Sequence, residues 1–230
     1  MTFEYVGSEL ELFASAKNWR AYWTSLVRSH LGQRVLEVGA GIGSATRQLI
    51  DDKKDWVALE PDKKMAEQMR DDRYLSSAKV LCGTIDSIDK AEKFDNVLYL
   101  DVLEHIENDV LEIEKACHHL KPGGSIVILS PAHNWLMSEF DMAVGHHRRY
   151  SKGCLEAIRP KNMLPVAKLY LDSFGLFASL GNKLILRQAS PNKSQIMFWD
   201  SFLVPVSKVL DRILLYSIGK SVLVVWRKEN

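Results

Sequence analysis

Residues 35–44 read Val-Leu-Glu-Val-Gly-Ala-Gly-Ile-Gly-Ser, an apolar run that breaks into a loop with glycine at every second position. Glycine accepts a left-handed backbone and lets main chain approach a ligand closely, so a loop of this kind fits where a strand turns sharply into a helix. The flanking pattern supports that reading. Short apolar runs at Arg34–Val38, Trp56–Glu60, Lys79–Cys82, Phe94–Leu100 and Ser125–Leu129 alternate with amphipathic stretches at Ser44–Asp51, Lys63–Arg70 and Asp109–Leu120. Continuous apolar runs suit strands covered on both faces, and strand–helix alternation at this pitch predicts a parallel sheet with right-handed crossovers. Lys121-Pro122-Gly123-Gly124 is expected to be a turn between a helix and the next strand. Further on, a strand is expected near Val166–Ser173, a helix over Ser201–Tyr216 broken early by Pro205, and a final strand at Ser221–Arg227. Residues Ser15–Leu31 read as a helix with Trp19, Tyr22, Trp23 and Leu26 on one face.

Two ligand classes could use the glycine loop. Pyrophosphate wants backbone N–H groups and positive potential. The glycines at 39, 41 and 43 follow GxGxG rather than the dinucleotide spacing GxGxxG, and Glu37 sits on the strand just before them. A carboxylate there repels pyrophosphate and attracts a cation. Glu60 ends the next strand 21 residues after Gly39, where an acid can hydrogen-bond the hydroxyls of an adenosine ribose. A cationic, adenosine-containing ligand, S-adenosyl-L-methionine, satisfies all of these features.

The net charge of +1 conceals an asymmetry: Met1–Gly145 carries 16 Lys and Arg against 24 Asp and Glu, and His146–Asn230 carries 14 against 5. A basic C-terminal part can attract an acidic substrate, a membrane surface or nucleic acid. No nucleic-acid-binding module is recognisable. Cys82, Cys117 and Cys154 are widely spaced and suggest neither a disulfide framework nor a zinc site, which fits a reducing, cytoplasmic compartment. The opening residues do not read as a signal peptide, and no stretch approaches the ~18 apolar residues of a membrane span. The apolar region 198–227 is interrupted by Lys208, Asp211, Arg212 and Lys220. It is read as a packed helix and strand, with peripheral membrane contact as the alternative.

Four segments in order, VLEVGAGIG (35–43), VALEPD (57–62), FDNVLYLDVLEHIEND (94–109) and LKPGGSIVILSP (120–131), resemble the class I methyltransferase family over residues 15–131. The resemblance implies a Rossmann-like α/β fold with a seven-stranded sheet, last strand antiparallel, and helices on both faces. The whole chain is then a single domain, with an N-terminal helical cap (1–33) and a substrate-side insertion (132–165). It also implies cofactor roles. Glu37, Gly39, Ala40, Gly41 and Gly43 surround the methionine moiety, and Glu60 binds the ribose with Pro61 beside it. Thr84 and Ile85 lie at the adenine. The family often has an acid at position 84; Thr stands there in this chain, and Asp86 is the candidate replacement. Leu100, Asp101 and His105 line the cofactor from the next strand, and Trp19 covers the pocket.

The segment VGHHRRYS (144–151) resembles that of a bacterial subgroup of small-molecule or glycan-related methyltransferases. Methyl transfer from a sulfonium needs alignment, exclusion of water and, for a hydroxyl acceptor, a base. His133, His146 and His147 are the candidates, with His146 favoured as catalytic base. His118 and His119, on an expected helix end, read as structural. Arg148, Arg149 and Tyr150 could grip a phosphate or carboxylate of the substrate, and His133 and His147 could join them. No metal-binding spacing stands out, so no metal is expected. The acceptor implied is an oxygen, or with less support a nitrogen, of a small molecule or glycan. The alternatives are an RNA- or protein-directed methyltransferase and a non-catalytic cofactor-binding protein. Nothing in the sequence fixes the oligomeric state.

Overall fold

A computed structural model describes residues 5, 9–51, 54–181 and 192–229. The apolar runs form seven strands: β1 (Arg34–Val38), β2 (Asp55–Glu60), β3 (Ala78–Cys82), β4 (Phe94–Leu100), β5 (Leu120–Pro131), β6 (Met163–Leu171) and β7 (Ser221–Lys228). They make one sheet in the order β3-β2-β1-β4-β5-β7-β6. The first five strands are parallel, and β7 runs antiparallel between β5 and β6. The antiparallel strand is therefore where the resemblance puts it.

Neighbouring residues on a strand point to opposite faces, and here both faces are apolar. Leu36, Val38, Val97, Tyr99, Ile126 and Ile128 pack on one side with residues of α5 (Asp109–His118) and α7 (Lys152–Ile158). Val35, Trp56, Leu98, Val127 and Leu129 pack on the other, against α2 (Lys17–Val27), α4 (Lys63–Asp71) and the C-terminal helical segment. Covering on both sides explains why the strand runs lack polar alternation.

Two expectations are revised. The segment Lys121–Gly124 lies inside β5 as a bulge rather than before the strand: Phe94 pairs with Leu120, but Asn96 pairs with Ser125. The expected helix 201–216 is a π-helical turn at Trp199–Leu203 followed by α10 (Val204–Ile213), with Pro205 in the first turn, where its missing N–H costs nothing.

The remaining helices converge at the end of the sheet where β1 and β4 stop: α1 (Glu9–Ala14), α6 (Glu139–Ala143), α8 (Ser173–Gly181) and α9 (Lys193–Phe198), with the short α3 (Thr46–Leu49) behind the glycine loop. The start of α2 has no side-chain cap of its own, since Ala16 occupies the cap position. Asp200 supplies one from the π-helical turn. Its Oδ1 accepts the Trp19 N–H at 2.8 Å, and its Oδ2 accepts the Asn18 N–H at 3.1 Å. Those are two of the donors an isolated helix start leaves unpaired. Asp211 and Asp172 extend the tie. Asp211 accepts the Tyr22 hydroxyl and the Asp172 N–H, and Asp172 accepts the Trp199 indole, the Ser207 hydroxyl and the Gly175 N–H. Replacing a helix cap usually costs about 1–2 kcal/mol. Asp200→Ala is expected to lower the free energy of unfolding by that amount, moving the urea midpoint down without changing the slope, as measured by circular dichroism. An unaltered midpoint would remove this tie from the account.

Candidate functional site

Glycine at 39, 41 and 43 is read from the sequence as a permit for a tight turn, and all three take positive φ, at 69°, 58° and 74°. Their surroundings differ. A Cβ at Gly39 would stand 2.7 Å from Val102, and one at Gly43 would stand 2.4 Å from Leu75, so these two glycines allow close packing. A Cβ at Gly41 would meet, among the described residues, only Leu10, at 3.6 Å, so packing is looser there. Glu60 fixes the loop: Oε2 accepts the Gly41 N–H at 2.7 Å, and Oε1 accepts the Asp62 N–H at 2.8 Å.

A cavity of about 1130 Å³ opens beside this loop. Glu37, Gly39, Ala40, Gly41, Leu100, Asp101, His105 and Trp19 all border it, as the sequence reading expects, and so do His146 and Arg149 from the insertion. Gly43 turns away into the packing just described. Glu60, Pro61, Thr84, Ile85 and Asp86 do not border the cavity. Ile85 is buried in the core, and Asp86 pairs with Lys115 at 2.7 Å.

On the substrate side, several expected residues are already committed elsewhere. The Tyr150 hydroxyl is buried and donates to Asp109 Oδ2 at 2.7 Å, while Arg148 pairs with the same carboxylate at 2.8 Å and donates to the Glu107 carbonyl. These two brace the start of α5 and are not free to grip a substrate. Ring nitrogen Nε2 of His133 lies 3.1 Å from the Gly219 carbonyl, and its ring packs on Trp135 and Tyr170, outside the cavity. His147 is exposed and outside it too. His119 Nδ1 lies 3.1 Å from the Glu92 carbonyl, the structural place the helix-end reading implies.

The electrostatics follow from burial. Glu37, only 2% exposed, accepts the Thr46 hydroxyl at 2.6 Å and the Trp56 indole N–H at 2.9 Å. Burial nevertheless pushes its carboxyl up to about 7. Asp101 borders the cavity with its side chain exposed there, in surroundings crowded by protein. Burial raises it to about 6, against the pull of His146 and Lys220. Glu104 is fully buried. Burial, with the charge of Asp101 added, drives it well above the usual carboxylate range. Its Oε2 accepts the Ser130 hydroxyl at 2.9 Å, and its Oε1 has no hydrogen-bond partner among the described residues. The His105 ring is pushed down to about 4 by burial and by neighbouring His146, opposed by a hydrogen bond to the Gly145 backbone.

Asp141, 1% exposed, is a site residue the sequence reading missed. It closes a capping box at the start of α6, accepting from the Ser138 hydroxyl and N–H. It also accepts both forks of Arg149 at 2.9 Å, and His146 Nδ1 lies 2.9 Å from Oδ1. Burial opposes ionisation here, but the bonds from His146, Arg149 and Ser138 outweigh it and hold the carboxyl well below its usual range. An ionised Asp141 places the proton on His146 Nδ1 and leaves the Nε2 lone pair free. The pattern Ser138-x-x-Asp141, five residues before His146, was the available signal. Lys220 was missed as well. It borders the cavity with its ammonium 4.1 Å from the centre of the Trp199 ring and 3.5 Å from Asp172, and burial lowers its pKa. A last grouping had no local signal at all. Glu104, His105 and His146 present ligand atoms all within 4.8 Å of one another, although no metal spacing is visible in the sequence.

Glu37 gives a pH signature. Its folded pKa lies above its ordinary 4.5, so its contribution to stability is full below pH 4.5 and is lost as pH rises toward about 7. Subtracting the stability of Glu37→Gln from that of the wild type at each pH should give a difference that falls over this window and is flat above it. A difference with no slope would contradict the burial argument.

A family model for a methyltransferase domain matches residues 35–124. The ubiquinone biosynthesis O-methyltransferase of Bradyrhizobium diazoefficiens is 28% identical over 106 residues, covering 45% of this chain and 42% of that protein. The enzyme of the same name from Nitrobacter winogradskyi is 26% identical, over 45% of this chain and 41% of its own length. The match thus spans less than half of these relatives. Among solved structures, coclaurine N-methyltransferase bound to N-methylheliamine and SAH superposes with a TM-score of 0.63 at 15% identity, covering 91% of this chain and 72% of that one. The [4+2]-cyclase SpnF superposes at 0.62 with 16% identity, covering 97% and 96%. The matched domain, the sheet order and the glycine loop at the end of β1 together agree with the resemblance to the class I S-adenosylmethionine-dependent methyltransferase family.

Proposed function

We propose that this protein binds S-adenosylmethionine and transfers its methyl group to an oxygen of a small molecule. The observation that carries the reading is one cavity bordered by two sets of groups: the glycine loop with Glu37 and Asp101, and the Asp141–His146 pair.

The first set fits the cofactor. Gly41 borders the cavity, and Glu37 and Asp101 offer carboxylates to an ammonium and a sulfonium. Binding a cation favours the ionised form of Glu37, so cofactor uptake should release protons near neutral pH. Trp19 contributes an aromatic side chain suited to a cationic ligand. Glu60 lies behind the lining, where its bonds to the Gly41 and Asp62 N–H groups fix the loop that meets the ligand.

When bound, the cofactor supplies a methyl group already activated by positive sulfur. The chain's own contribution is placement and proton handling. Asp141 orients the His146 ring, and Nε2 takes the acceptor's hydroxyl proton as the new C–O bond forms. Arg149, held by both Asp141 oxygens, keeps that carboxylate ionised and in place. Helices α1, α2, α6 and α9 line the cavity, and a concave site of this kind suits a small acceptor. The relatives named O-methyltransferases support oxygen as the acceptor atom.

Calorimetric titration should show one S-adenosylmethionine per chain. Glu37→Gln should weaken that binding at least tenfold. His146→Ala should bind the cofactor normally and lose about 10²–10⁴-fold in turnover with a hydroxylated aromatic acceptor. A chain that binds a nicotinamide dinucleotide and not the sulfonium compound would overturn the proposal.

A further inference from the structure

We propose that Glu104, His105 and His146 form a binding site for one divalent transition-metal ion at the acceptor end of the cavity. The donor set is two imidazoles and one carboxylate, a combination that suits Zn²⁺, Co²⁺, Mn²⁺ or Fe²⁺ rather than Ca²⁺. Three independent observations support it. All three side chains border the same cavity, and their ligand atoms lie within 4.8 Å of one another. Ligands at ~2.1 Å around one tetrahedral ion stand ~3.4 Å apart, so a pair at the outer limit of the cluster closes by ~1.4 Å when an ion binds.

Glu104 gives the second observation. It is fully buried, and its Oε1 has no hydrogen-bond partner among the described residues. An orphaned carboxylate oxygen in an interior is costly unless something meets it, and a cation meets it best. The third is the support behind the rings. His146 Nδ1 faces Asp141, and His105 is tied to the Gly145 backbone, so each imidazole has a partner that fixes its orientation. Metal-ligating histidines characteristically hold such a carboxylate or carbonyl with the nitrogen that does not bind the ion. The two rings cross edge-to-face with centroids 4.6 Å apart rather than stacking.

Three protein ligands leave positions open for an acceptor oxygen. A hydroxyl bound there loses its proton to water near neutral pH and becomes the nucleophile. Occupancy would therefore turn His146 from proton acceptor to ligand, giving a second route to the same oxyanion. This catalytic consequence rests on the transfer reading above; the site itself does not.

Metal binding is tested without turnover. The purified full chain, stripped with chelator and titrated with Co²⁺, should develop visible absorption bands that saturate at one ion per chain, and Zn²⁺ should displace them. Glu104→Gln, His105→Ala and His146→Ala should each weaken Co²⁺ binding at least tenfold, while His147→Ala, next in sequence but outside the cavity, should leave it unchanged. Circular dichroism identifies any variant that fails to fold, and the wild-type spectrum stands without them. Absence of saturable bands in the wild type up to ~1 mM Co²⁺, or equal affinity in folded site variants and wild type, would overturn the proposal. Cofactor titration of the stripped protein is a separate readout, so loss of the metal site and loss of the methyltransferase reading give different results.

Discussion

A parallel sheet delivers the chain to the same end each time a strand finishes, and here that end is crowded with acids. Glu37 is the next-to-last residue of β1, Asp101 follows β4, and Glu104 lies a turn further on. Lost hydration pushes all three upward, and the charge of Asp101 adds to the push on Glu104. The protein holds this unfavourable arrangement with a rigid double-covered sheet below and helices above. Carboxylates kept short of water in this way are a reservoir of attraction for anything positive that enters.

Asp141 collects donors from a helix cap, a histidine and an arginine. It is the one carboxylate at the site driven down rather than up. The cavity therefore joins acids that have lost hydration to one whose oxygens are taken up by donors. His146, held by Asp141, stands between the two kinds, with a ring nitrogen within 4.8 Å of Glu104. The likeness to a [4+2]-cyclase shows that this fold hosts other chemistry, so function rests on these side chains.

The parallel strands and the glycine loop were legible because they depend on local patterns: apolar runs covered on both faces, and positive φ at Gly39, Gly41 and Gly43. His146 was legible as a cavity residue for the same reason, by its place after β5. Arg148 and Tyr150 were misread because charge and aromatic character announce recognition, while their partner Asp109 lies some forty residues away. The union of Glu104 and His105 with His146 was invisible on the same grounds. The 198–227 region splits: β7 is buried as core, whereas Phe202 at 63% and Leu215 at 83% exposure leave part of the preceding segment apolar and open.

The placement of β7 has a consequence for how the molecule comes into being. Strand β6 borders β7 and not β5, so it waits from Leu171 to Ser221 for its sheet neighbour. Asp200, which caps α2, belongs to the same late stretch. During ribosomal synthesis the first five strands emerge before the C-terminal helices that cover one of their faces, and the cavity gains its lining from that region only as it emerges. A premature stop before Ser221 would thus leave a half-built sheet with an open edge, the kind of surface that invites aggregation.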